Sequence, residues 1–208
     1  MDEMYYGLVP KLWNETIDAH RAAVRDATLD ATAALVAEHG LVALTMSQIA
    51  EKAGIGRATL YKYFPDVQTI LVAWHERQVT THLDQLAAAA DPADPAGVRL
   101  EAVLQAYAFI QHHSGRHGGE LSTPLHRGEH VDRARQRLHR FVQDLITEGA
   151  KAGDLRVDVS ADELTCYCLH ALTAAGTLAT PDAVHRLVAI TLTGLRPQRP
   201  EPTRHHHS

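Results

Sequence analysis

Aromatic side chains make up only 5% of the 208 residues, and cysteine occurs only twice. With so few aromatics, and with Ala, Leu and Val abundant, the balance favours helices packed on helices. Cys166 and Cys168 stand too close in sequence for a disulfide framework and suit a reducing cytoplasm. Long hydrophobic runs are absent as well. None approaches the ~18 residues that a membrane helix needs, and residues 1–13 lack the basic and apolar regions of a secretory signal. The expectation is a soluble cytoplasmic protein. Basic charge is in deficit, the net charge being −5, which argues against indiscriminate binding of polyanions. Also missing are a nucleophile elbow, a glycine-rich phosphate loop, HExxH and CxxC. Glu120 and Glu129 lie near histidines at no matched spacing, so the chain is not expected to be an enzyme and no cofactor is implied. A hydrophobic content of 45% still suffices to bury a sizeable core in one or two domains.

The apolar patterns that are present have the helical period, and none alternates like a strand. Ile17, Val24, Ala27, Ala31, Ala34 and Leu35 form one stripe, predicting a first helix over about 14–39 that stops at Gly40. Val67, Ile70, Leu71 and Trp74 begin another, fading near the Asp91–Pro95 loop. Leu100, Val103, Leu104 and Tyr107 mark a helix expected to be lost in "HHSGRHGGE". Val131, Ala134, Leu138, Phe141, Val142 and Leu145 mark a longer one stopping near Gly153. Ser160 with Glu163 has the form of a capping box, followed on one face by Leu164, Cys168, Ala171, Leu172, Ala175 and Leu178. Thr180 then caps a helix with Pro181 at its first position and a stripe through Val184, Leu187, Val188, Leu192 and Leu195. The fold is expected to be all-α. There is no internal repeat, and the polar ending "RPEPTRHHHS" is expected to be a disordered tail outside the fold.

One stretch, "TMSQIAEKAGIGRATLYKYFPD" from Thr45 to Asp66, answers the charge deficit locally. Thr45 and Gln48 have capping-box spacing, and Ala50 is small where two helices must cross closely. Gly54 can take the positive φ of a tight turn. Ile55 fills the corner, a second helix opens near Arg57, and Leu60 points back to the core. Thr59, Tyr61, Lys62 and Tyr63 are left to face outward. This is helix-turn-helix chemistry: a scaffold helix, a glycine turn, and a helix whose N-terminal half meets base edges. Between Thr45 and Phe64 the bases Lys52, Arg57 and Lys62 face the single acid Glu51. Phosphate contact needs a basic face and not a basic protein. A plain helical hairpin with an aromatic core would leave Tyr61, Lys62 and Tyr63 exposed without purpose.

These residues, together with the long helix before them and Val67–Leu71 after, resemble the N-terminal domain of the tetracycline-repressor (TetR/AcrR) family of bacterial transcriptional regulators. "GRATLYKYFPD" is close to that family's pattern, and the likeness is strong over about residues 20–75. The resemblance implies a homodimeric repressor released by a small-molecule inducer. By position it implies DNA contacts at Thr45, Arg57, Thr59, Tyr61, Lys62 and Tyr63, with Leu60 and Phe64 in the core. It also implies a DNA-binding domain over 1–65 and a helical ligand-binding and dimerisation domain over 66–196, leaving 197–208 as tail. The opening "MDEMYYGLVPKLW" departs from the family as an added arm. That arm either tracks the DNA backbone through Lys11 or packs Trp13 on the domain; its acidic, aromatic composition favours packing.

In the second domain, Trp74, Tyr107, Phe109, Phe141 and Tyr167 are candidate walls of a ligand pocket, being large and mid-helix, although such residues are as readily core. The stripes carrying Leu164, Cys168, Leu172, Val184, Val188 and Leu192 are candidates for a four-helix dimer interface, and two-fold symmetry then predicts a palindromic double-stranded operator. His112, His113, His117, His126 and His130 crowd one segment, and two pairs have the i,i+4 spacing of helical metal ligands. With Cys166, Cys168 and His170 they raise a metal-responsive regulator as the alternative. Against it, Gly115, Gly118 and Gly119 interrupt the first pair, and Cys166 and Cys168 point in different directions on a helix. No metal ligand is assigned.

Overall fold

A computed structural model describes residues 9–40, 44–117 and 129–197. Among these, every regular element is helical: α1 (Val9–His39), α2 (Met46–Lys52), α3 (Arg57–Tyr63), α4 (Val67–Ala89), α5 (Ala96–His117), α6 (Glu129–Ala152), α7 (Ala161–Thr173), a 3₁₀ turn (Ala174–Thr177) and α8 (Pro181–Gly194). None of the helices among the described residues is long and apolar enough to cross a membrane. The chain divides into two compact units, residues 1–78 and 79–208. The sequence reading places the boundary at 65/66; it falls inside α4, because Ile70 and Ala73 are buried in the N-terminal core.

In the N-terminal unit that core gathers Leu29 and Leu35 from α1, Met46, Ile49 and Ala50 from α2, and Leu60, Phe64, Ile70 and Ala73. Ile49, Leu60 and Ile70 are wholly buried. Two buried threonines punctuate α1 without cost: Thr28 Oγ1 donates to Val24 O at 2.8 Å and Thr32 Oγ1 to Thr28 O at 2.8 Å. The first helix starts at Val9 rather than near residue 14, since Pro10 falls in its first turn, where a missing N–H is no loss. Ile17, expected on the buried stripe, is 44% exposed. Residues 1–8 and the side chains of Lys11 and Trp13, on which the arm reading rests, lie outside the described residues.

The C-terminal unit is organised around α5, which packs against α6, α7, the 3₁₀ turn and α8. Leu100, Val103, Leu104, Val142, Ile146, Leu172, Val184 and Leu195 are fully buried within it. The helix α5 continues through "HHSGRH" as far as His117, inside the segment where its end was expected. Gly115 is helical and sits against Gly176; a Cβ there would lie 2.2 Å from Gly176 O, so the missing side chain is what admits the close crossing. On the other side of this contact α7 ends at Thr173 and tightens into the 3₁₀ turn, where an uninterrupted helix was expected. The other predicted stops and starts of this unit are present. Gly153, at φ +82°, ends α6. Ser160 with Glu163 forms a reciprocal capping box, and Thr180 accepts from Ala183 N ahead of Pro181. Arg156 closes the end of α8, its backbone N–H donating to Leu195 O at 2.9 Å and its guanidinium to Gly194 O at 3.1 Å.

Candidate nucleic-acid interface

The α2–α3 corner is built as its residue types dictate. Thr45 Oγ1 accepts from Gln48 N at 3.3 Å, while the Thr45 N–H donates to Gln48 Oε1 at 3.0 Å, so two otherwise unpaired donors at the start of α2 are satisfied. Gly54 turns the chain at φ +67° and donates to Glu51 O at 3.1 Å. Ile55 N then donates to Ala50 O at 3.0 Å, carrying its side chain against the core. Gly56 caps α3, and Leu60 N donates back to Gly56 O at 3.0 Å.

Leu60 and Phe64 hold α3 down, at 0% and 1% exposure. Its outer face presents Arg57, Ala58, Tyr61 and Lys62, all exposed, and Tyr61 shows 55% of its surface to solvent. That exposure leaves the ring and hydroxyl of Tyr61 available for contact on the outer face of α3. Thr59 and Tyr63 are half-buried at the flanks, and Tyr63 packs on the N-terminal core, so neither is fully outward as expected. Thr45 is exposed, though its hydroxyl and N–H are engaged by the cap.

The charge is arranged differently from the simple count of bases. Lys52 Nζ lies 2.7 Å from Glu38 Oε1, and the hydrogen bond and charge of Lys52 hold the Glu38 carboxyl below its ordinary range. Lys52 is therefore partly neutralised. Two residues not singled out in the sequence join the face. Ser47 accepts from Arg57 Nη1 at 3.2 Å, bridging the first turns of α2 and α3. Arg25 of α1 places its guanidinium 5.4 Å from the centre of the Phe64 ring, adding a cation at the far end of α3. Ser47 was legible as the second helical residue after the Thr45 cap; Arg25 carried no local signal.

The remaining candidates disperse. Trp74 packs on the N-terminal core, and its buried Nε1 has no hydrogen-bond partner. Tyr107, Phe109 and Phe141 are half-buried against the C-terminal core. Burial raises the Tyr107 hydroxyl above its usual range, and Phe109 meets His185 edge-on at 5.0 Å between ring centres. Tyr167 is 45% exposed, which makes it a surface residue and not a pocket wall. An open groove of about 430 Å³ runs past Ile146, Ala150, Val157, Val159 and Leu164, and none of the five aromatic candidates lines it. The proposed dimer stripe needs correction. Leu164, Cys168, Leu172, Val184 and Val188 are between 0% and 5% exposed and Leu192 is partly buried, all inside the core of a single chain. These side chains already have their cover.

The histidine-rich segment does not assemble a metal centre among the described residues. His112 is buried with Nδ1 3.2 Å from Ala175 O, and His113 Nδ1 is 2.7 Å from Phe109 O. His126 and the side chain of His117 lie outside the described residues. Burial pushes the Cys168 thiol up to about 12, so that sulfur behaves as a small hydrophobe while Cys166 is exposed on another face.

Residues 29–73 match the family model described as bacterial regulatory proteins, tetR family, and residues 108–197 match the C-terminal domain model of SbtR-like transcriptional regulators. The HTH-type transcriptional repressor LfrR of Mycolicibacterium smegmatis is 35% identical over 86 residues, a match spanning 41% of this chain and 42% of that protein. A TetR/AcrR-family regulator from Thermobifida fusca superimposes with a TM-score of 0.67 at 21% identity, over 86% of this chain and 99% of that one. A TetR regulator from Haloarcula marismortui gives 0.68 at 17% identity, over 84% and 97%. At such identities the two structures bear on the fold alone, and both share it.

Proposed function

The chain belongs to the TetR family of bacterial transcriptional regulators, which are DNA-binding proteins and not enzymes, and from that premise we propose that it is a repressor. In this reading a homodimer grips a palindromic operator through α3 and lets go when a small molecule occupies the C-terminal unit. The observation that carries it is the outer face of α3, where Tyr61, flanked by Arg57 and Lys62, stands exposed while Leu60 and Phe64 lock the helix to its scaffold. Tyr61 reads a base edge or thymine methyl, and Arg57, Lys62 and Arg25 meet phosphates. Ser47 steadies Arg57. The likeness to LfrR, itself a repressor, supports the sign of the regulation.

For assembly, the outward faces of α7 and α8 replace the buried stripe. Tyr167 and Ile190 are exposed large hydrophobics, at 45% and 67%. Tyr167 lies over Gly194, where a Cβ would come within 3.2 Å of its hydroxyl, and Ile190 is one turn back from Gly194 on α8. These exposed side chains are the proposed two-fold contact. For the inducer, Tyr107, Phe109 and Phe141 remain the candidate walls. The signal travels along α4, whose first half belongs to the N-terminal unit and whose second half belongs to the other.

Sequencing the DNA that the purified protein enriches from its own genome tests the reading. The expected result is one inverted-repeat motif with half-sites about one helical turn, or a multiple of it, apart. Enrichment without a shared motif would remove it.

A further inference from the structure

Outside the proposed DNA-facing residues, three side chains from two helices converge, His139 lying 23 positions from Asp162 in the chain. His139 stands on α6; Asp162 and Cys166 are one turn apart on α7 and so share a face. His139 Nε2 is 2.8 Å from Asp162 Oδ1, and the imidazole nitrogen, carboxylate oxygen and Cys166 sulfur all lie within 4.8 Å of one another. The imidazole is 29% exposed and the carboxylate 64%, so the cluster opens to solvent on one side. We propose that His139, Asp162 and Cys166 form a binding site for a zinc-like divalent cation that clamps α6 to the first turns of α7.

The donor set selects the metal. One imidazole, one carboxylate and one thiolate suit a borderline-soft ion; magnesium or calcium would call for several oxygens. Three protein ligands with an open fourth position match a tetrahedral site completed by water. Zinc at about 2.0–2.3 Å from each donor requires donor separations of roughly 3.3–3.8 Å. The His139–Asp162 pair therefore opens by roughly half an ångström, and the sulfur closes by up to about 1 Å, movements within reach of Cβ rotations at exposed positions. On binding, the Cys166 thiol gives its proton to solvent and His139 coordinates through Nε2 with its ring proton on Nδ1. A plain surface ion pair would explain His139 with Asp162, but it gives no reason for a sulfur beside them. Of the cysteines and histidines weighed in the sequence, only Cys166 belongs to this site, and the site is independent of the DNA-binding reading.

Cobalt titration of the metal-stripped full chain, followed by thiolate-to-cobalt absorption, reads this site alone. The histidines of the central segment and of the tail contain no sulfur, so they cannot produce that band. The wild type and Cys168→Ala should both show a saturable band that zinc bleaches, Cys166→Ser should show none, and His139→Ala and Asp162→Ala should each weaken cobalt binding at least about tenfold. Absence of the band in the wild type, its persistence in Cys166→Ser, or indifference to both His139→Ala and Asp162→Ala would overturn the proposal. Circular dichroism of each variant separates loss of the site from loss of the fold.

Discussion

At the scale of single residues, the proposed function gives adjacent side chains of α3 two jobs. With Tyr61 reading sequence and Lys62 meeting phosphate, their substitutions should differ in kind. Tyr61→Ala should weaken operator binding by about 1–3 kcal/mol while leaving binding to random duplex nearly unchanged. Lys62→Ala should weaken both alike and lower the slope of log affinity against log salt by about one. Salt titrations on an operator and a scrambled duplex check both, and equal losses of selectivity in the two variants would mean that the face is wrongly oriented. Leu60 was legible from spacing, because a buried position must recur with the helical period, whereas Phe64 was placed in the core by the family resemblance. Arg25 was not legible, since its partner Phe64 lies 39 positions away and only the fold brings the ring beneath it.

At the scale of elements, stops and caps carry the clearest local signals. Thr45, Ser160 and Thr180 were readable because a side-chain oxygen three residues before a free N–H is a local geometry that needs no tertiary context. The face covering each helix was not readable in the same way. Periodicity says that one side of α7 and of α8 is apolar, but not whether the cover comes from the same chain or a second copy. That is why Leu172 and Val184 were assigned to an interface and are found in the core. Gly115 makes the same point: it looked like a helix breaker and proves to be the place where α5 can touch Gly176. Gly115→Ala should therefore destabilise the C-terminal unit by about 1–3 kcal/mol or more, since the clash is with backbone that cannot turn aside. A thermal melt as stable as wild type would contradict this. The helix starts also respond to acid. Thr69 donates its N–H and hydroxyl to Asp66 at 2.7 and 2.8 Å, and Ser160 donates to Glu163; both carboxyls are held below their ordinary range. A depressed folded pKa means that the stabilisation is present above the unfolded value of about 4 and is lost as pH falls through the folded one. Asp66→Asn keeps a cap acceptor and removes the titration, so its stability should depend less on pH below about 4 than that of the wild type. Parallel acid titrations followed by helical signal would show it.

For the whole molecule, the proposed assembly is tested on the surfaces that remain open. Ile190→Glu changes an exposed side chain and should give a folded monomer, whereas Leu172→Glu puts a charge at a fully buried site and should not fold. A dimeric Ile190→Glu protein in sedimentation would move the interface elsewhere. If an inducer releases DNA as proposed, linkage requires operator DNA to weaken inducer binding by the same factor by which inducer weakens DNA binding. Trp74 lies on the N-terminal half of α4, and Trp74→Ala should reduce the response to inducer more than it reduces operator affinity without inducer. An unchanged response would route the signal away from this part of α4.

Whether the exposed face of α3 reads a particular DNA sequence, as proposed, can be measured in one comparison. Fluorescence anisotropy at physiological salt would give the affinities of wild type and Tyr61→Ala for the enriched genomic palindrome and for a scrambled duplex of equal length. Wild type should prefer the palindrome by about 10³-fold or more, and Tyr61→Ala should lower this ratio by at least about fivefold. Equal wild-type affinity for the two duplexes, or a preference untouched by Tyr61→Ala, would contradict the proposal.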